Sequence, residues 1–239
     1  MNTNILTASA IAAFAWAPAA AASDATSVGG SLGDAGSTQI QISVTFDRID
    51  DLVQFGQAPG ALVDELSSLL EQLPATESLR ARLKGHVDDF AARAARTYVG
   101  QSDVAVLRTE FVLARIDSFM DDLKRRSIGG GWSAEEFQNV VEGWTQRGRV
   151  FVDAPDPAAL RARFSQAVQT AVDGSRTFAQ AHARVAAIIA NERARYAKGV
   201  LEARLANGTA DKSDYERLMA VLMEARQQRA DGAAIGRLD

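Results

Sequence analysis

A chain of 239 residues, 47% hydrophobic and 23% charged, is long and apolar enough to bury a core, with room for one domain and an appendage. A net charge of −4 excludes any general electrostatic pull towards nucleic acid. The absence of cysteine excludes disulfides, thiolate metal sites, a cysteine nucleophile and a lipidated cysteine, and it fits a compartment where stray thiols oxidise.

Residues 5–22 are uncharged and rich in Ala, and the Ala run after Pro18 ends at Ser23-Asp24. This pattern predicts a signal peptide over residues 1–22, although Met1-Asn2-Thr3-Asn4 carries no basic residue. It places the mature protein in the periplasm or outside the cell. An uncleaved apolar anchor on an envelope-associated accessory protein is the alternative, and membrane contact is expected only in that case. Residues 23–37 are Gly/Ser/Ala-rich without periodicity and read as a flexible leader.

In residues 38–46, Ile40, Ile42, Val44 and Phe46 alternate with polar residues, which predicts a half-buried strand. A strand needs a partner for its backbone groups. Residues 149–153 are the internal candidate for a two-stranded ribbon, and another subunit is the external one. From Asp47 onwards the periodicity is helical. A short helix ends near Gly56 and Pro59. Leu62, Leu66, Leu69, Leu70 and Leu73 share one face, then Leu79, Leu83, Val87 and Phe90, then Leu107, Phe111, Ile116, Phe119, Met120 and Leu123. The Gly129-Gly130-Gly131 run reads as a hinge, and Ser133-Ala134-Glu135-Glu136 as a capping box. Phe137, Val140, Val141 and Trp144 follow, and Leu160, Phe164, Val168 and Val172 make a further amphipathic helix. From about Ser175 a long helix carries Val185, Ile188, Ile189 and Tyr196 to Asn207-Gly208, a helix-stop signal. Ser213 to Glu216 reads as a second capping box, opening a stripe of Tyr215, Leu218, Met219, Leu222 and Met223. Residues 231–239 read as a frayed tail.

The predicted architecture is therefore mostly α: a multi-helix bundle with one short strand or two-stranded ribbon and a C-terminal helical hairpin. A helical body spans residues 38–174, and a long stem projects the hairpin, residues 175–239, away from it.

The chemistry of enzymes is sparse. His86 and His182 stand outside any zinc or di-iron spacing and read as a solvated-face and a core histidine, respectively. No nucleophile elbow or phosphate loop is present. No cofactor is expected. Asp47 with Asp51, and Asp117 with Asp121, share helix faces at a spacing that holds Mg²⁺ against a diphosphate, so a Mg²⁺-dependent all-helical enzyme is a second function class. Charge is spread unevenly. Between residues 34 and 77 eight acidic residues stand against Arg48 alone, and from residue 158 onwards thirteen basic residues face nine acidic ones. Ends of opposite sign attract within one molecule or between neighbours.

Residues 196–226 resemble the short C-terminal domain (SHOCT) family in Leu201, Arg204, Ala206, Gly208, Tyr215 and Leu218, with Ala210 in place of the family's larger apolar residue. The resemblance implies a two-helix oligomerisation or docking element and no catalysis. The expected function is thus an exported helical protein that acts by self-association or by binding another protein. Its expected contacts are the alternating Ile40, Ile42, Val44 and Phe46 and the stripe of Tyr215, Leu218, Met219 and Leu222.

Overall fold

The computed structural model describes residues 32–73, 75–127, 131–147 and 150–235; the signal-peptide reading of residues 1–22 and the start of the leader lie outside them. Among the described residues there are eight helices: α1 (Leu32–Gln54), α2 (Gly60–Gln72), α3 (Glu77–Ala94), α4 (Gln101–Ser127), α5 (Ala134–Arg147), α6 (Pro157–Asp173), α7 (Phe178–Ala206) and α8 (Lys212–Ile235). None is long and apolar enough to cross a membrane.

Helix α4 is the spine. Its first half packs Val104, Leu107 and Phe111 into a core shared with α1, α2 and α3, where Phe111 meets Phe46 edge-on at 4.9 Å. Its second half packs Ile116, Met120 and Leu123 into another core with Phe137 of α5, Phe164 of α6 and Phe178 and Val185 of α7. The stripes of α2, α3 and α4 point inward as their periodicity requires, because every third or fourth residue returns to one face. Ser133 and Glu136 form their reciprocal cap, with Glu136 accepting from the Ser133 amide at 2.6 Å and Ser133 Oγ from the Glu136 amide at 3.1 Å.

Among the described residues the strand and ribbon expected in residues 38–46 and 149–153 are not formed; residue 149 lies outside the described residues. Residues 38–46 lie inside α1, and the described backbone pairing outside helices is a lone bridge between Ser133 and Thr177. The reason is in the continuation of the pattern. An alternating run contains an i, i+4 pair, and Ile42 and Phe46 are extended by Ile49 and Val53 at helical spacing; all four are buried. Ile40 and Val44 then fall on the opposite side, exposed. Helix α1 also begins at Leu32, so the leader is shorter than expected.

The two segments cast as ribbon partners do meet, through side chains. Asp153, completely buried, accepts from Gln39 Nε2 at 3.0 Å, Ser43 Oγ at 2.6 Å and Arg115 Nη1 at 2.5 Å. One carboxylate thereby ties α1, α4 and the α5–α6 connection. Its three donors offset the cost of taking its charge out of water.

Candidate interaction surface

Helices α7 and α8 form an antiparallel hairpin. The turn is built as its residues require: Gly208 adopts a left-handed φ of 67°, and the amides of Thr209 and Ala210 donate back to the Arg204 carbonyl. The cap of α8 differs from the expected Ser213–Glu216 box. Asp211 is the capping residue: its carboxylate accepts from the Ser213 amide at 2.9 Å, and Asp214 reaches back to the Asp211 amide at 3.0 Å. The Ser213 hydroxyl also donates to Asp211, and that bond holds the Asp211 carboxyl below the usual range. Helix α8 continues to Ile235, through most of the expected tail.

The face that α8 turns to α7 is small. Ala225 packs with Ala190 and Ala194 of α7, bordered by Val221. Short side chains let the two backbones approach closely there. The large apolar residues point the other way: Tyr215 is 48%, Met219 58%, Leu222 39% and Met223 66% exposed, and Leu218 is half-buried at the edge. These positions recur at i, i+4, i+7 and i+8, so they form one continuous ridge on the outside of α8.

The hairpin does not project on a stem. Its inner end is held to α3 and α4 by guanidinium–carboxylate pairs buried between the helices. Arg93 of α3 reaches Asp211 at 3.4 Å and Asp214 at 3.3 Å, and donates to the Thr209 carbonyl at 2.5 Å. Its Nε lies 3.2 Å from Asp103 without hydrogen-bond alignment. Arg204 of α7 pairs with Asp103 of α4 at 2.6 Å and with Asp214. Further along, Arg193 pairs with Asp117 and, at 3.5 Å, with Glu224, while Arg217 of α8 pairs with Glu110. Burial pushes the Asp117 carboxyl up, opposed by Arg193 and Arg82. Burial also opposes the charge on Arg193, but its carboxylate neighbours, Asp117 first, outweigh it and raise its pKa. The basic C-terminal segment thus pairs with the middle of the chain, through Arg193, Arg204 and Arg217, and with its own acidic residues. The acidic N-terminal segment is neutralised elsewhere, with Asp47 and Asp50 meeting Arg108 at 2.8 and 2.6 Å.

Three of the four paired aspartates are engaged by arginine. Arg82 bridges Asp117 and Asp121 at 3.3 and 3.1 Å, Asp47 faces Arg108, and Asp51 is exposed. The two pairs are not brought together, since Arg108 and Asp117 stand about 13 Å apart along α4 at 1.5 Å per residue. Among the described residues no group of three or more His, Asp or Glu side chains is arranged to hold a metal ion. His182 sits 2.9 Å from the Met120 carbonyl between Phe178 and Phe137, and burial lowers its pKa. His86 lies 3.7 Å from Glu110, and burial lowers its pKa against the pull of that carboxylate.

Of the alternating contact residues, Ile42 and Phe46 belong to the core and only Ile40 and Val44 reach the surface. Of the second group, Tyr215, Met219 and Leu222 are exposed together, and Met223 completes the ridge. The ion-pair network is absent from the motif reading. Its sequence signal is a charge in a core register: Arg93 follows Leu79, Leu83, Val87 and Phe90 on the buried stripe of α3. A cavity of about 380 Å³ lies where α4, α7 and the end of α8 diverge, lined by Asp121, Lys124, His182, Ala186, Gln228 and Asp231 among others. Comparison with protein-family models, curated proteins and solved structures finds no significant match to this chain.

Proposed function

We propose that this is an exported helical protein that works by holding another protein chain on the outer face of α8. The observation that carries the reading is the ridge of Tyr215, Met219, Leu222 and Met223, four large apolar side chains on consecutive turns that no other described residue covers. Scattered exposed apolar residues are ordinary, whereas a contiguous ridge of aromatic and Met side chains is the composition of contact surfaces. Methionine adapts its shape to a partner, and Tyr contributes area at little entropic cost. The ion network beneath supports the same reading, because it holds the hairpin in one orientation and so presents the ridge rigidly. The resemblance of residues 196–226 to short C-terminal domain hairpins agrees with a docking role, and the leader-like residues 5–22 with export.

The test is a photo-reactive residue placed at Met219 in the full-length chain and irradiated in cells, with exposed Gln166 as the control position. The expected result is a discrete protein adduct at position 219, either with this chain or with another. A yield at position 219 no greater than at position 166 removes the docking role.

A further inference from the structure

The ridge on α8 has charged ends, and their order specifies what covers it. Glu216 stands at one end of the four apolar side chains and Arg226 at the other, both exposed. They lie on the same side of the helix as Met219 and are about 15 Å apart along the axis at 1.5 Å per residue. Glu216 has a local partner, Lys212, at 2.9 Å within the helix. Among the described residues Arg226 enters no ion pair.

We infer that a second copy of this chain docks on the ridge, with the two α8 helices antiparallel about a two-fold axis that crosses the outer face at the level of Val221. This inference rests on the docking role of α8 and names its partner. In a two-fold interface every contact is made twice, residue i meeting j and j meeting i. Antiparallel α8 helices centred at Val221 bring Glu216 of each copy opposite Arg226 of the other. Met219 faces Met223 between them, and Tyr215 lies over the stem of the arriving Arg226. Parallel helices would oppose Glu216 to Glu216 and Arg226 to Arg226. Like charges at matched positions disfavour that arrangement, so the charge order selects the antiparallel one.

The size of the surface is consistent with this pairing. A specific interface needs about 1,200 Å² in total, or about 600 Å² from each copy. Four apolar side chains 39–66% exposed, with the aliphatic stems of Lys212, Glu216 and Arg226 beside them, place the patch at the low end of that range at most. The dimer is accordingly of modest affinity, forming between about 1 and 100 µM chain.

Sedimentation velocity of the purified protein over that range, at low salt, tests the arrangement. The parent mass rises from one chain to two. Glu216→Arg and Arg226→Glu each weaken association at least tenfold, because each sets like charges opposite one another. The double variant E216R/R226E recovers to within about threefold of the parent, because the pairs are restored with their signs exchanged. Both positions are exposed, and circular dichroism of each variant checks that the helices persist. A parent chain that stays monomeric at 100 µM overturns the inference, as does a double variant as weak as the single ones, or an assembly larger than two. Monomeric purified protein together with a Met219 adduct to a different protein in cells overturns the self-pairing and leaves the docking role standing. Absence of both association and adduct removes the two together.

Discussion

Replacing Arg93 with Met tests whether ion pairing, rather than apolar packing, fixes the hairpin to the body. Methionine keeps most of the aliphatic volume and removes the charge. Around Arg93 the structure places two other guanidiniums, Arg204 and the exposed Arg96, which lies 3.5 Å from Asp211, and three carboxylates, Asp103, Asp211 and Asp214, of which Asp214 is 3% exposed. Removing Arg93 leaves three negative charges with Arg204 inside the site and Arg96 only at its exposed rim. Breaking a buried pair from one side costs about 3–5 kcal/mol. Asp103 and Asp214 keep Arg204 as a partner, which places the expected loss near the lower bound, about 3 kcal/mol. For a chain of this size about 2–4 °C of melting temperature follows each kcal/mol, so Arg93→Met melts about 6–12 °C below the parent. Asp211→Asn is the contrast. Asp211 is partly exposed, and Asn caps a helix nearly as well as Asp, so that variant costs under about 1 kcal/mol. Thermal melts at 222 nm, paired with hydrogen exchange on α8, read both effects; loosening of α8 ahead of the rest is the expected form of the loss. If Arg93→Met melts within 2 °C of the parent with α8 amides equally protected, the network does not hold the hairpin.

Three further outcomes follow from the same geometry. Ile42→Ala costs about 2–5 kcal/mol because it empties a buried site, while Val44→Ala is neutral or slightly stabilising, since Val44 faces solvent on a helix and Ala is the better helix former; comparable losses at both positions, read by urea unfolding, would contradict α1. Asp153→Ala strands Arg115, 3% exposed, without its carboxylate and costs about 3–5 kcal/mol, and an unchanged unfolding midpoint would show that this junction is not load-sharing. Stability falls as pH drops below about 6.5, because burial lowers the folded-state pKa of His86 and His182 while the unfolded chain takes up protons from the ordinary value of 6.5 downwards. His182→Gln flattens that decline in a series of melts; an undiminished slope would refute its share. The raised Asp117 carboxyl acts with the opposite sign, since the folded state then binds its proton more readily than the unfolded chain does.

The α class, the bounds of most helices and the core stripes of α2, α3 and α4 were legible from residue spacing, because each is a local consequence of a 3.6-residue period and its caps. The α8 ridge was also legible as a stripe: Tyr215, Met219, Leu222 and Met223 are in register whatever surrounds them. What spacing did not contain was the direction in which the stripe points. A ridge of large apolar residues is the natural candidate for burial against α7, yet the alanine face of α8 takes that place, because Ala190 and Ala194 of α7 allow close approach only to a face equally small. The same holds for residues 38–46. Their alternation satisfies a strand and a helix alike, and only the neighbours that cover Ile42, Phe46, Ile49 and Val53, with no second strand among the described residues, settle the choice. The ion network is the furthest from local reading. Arg93 and Asp214, or Arg193 and Asp117, lie far apart in the chain, and a charge has a partner only once the helices that carry it are placed. Periodicity is written along one helix; facing, pairing and exposure belong to pairs of helices, and so arise only in the packed molecule.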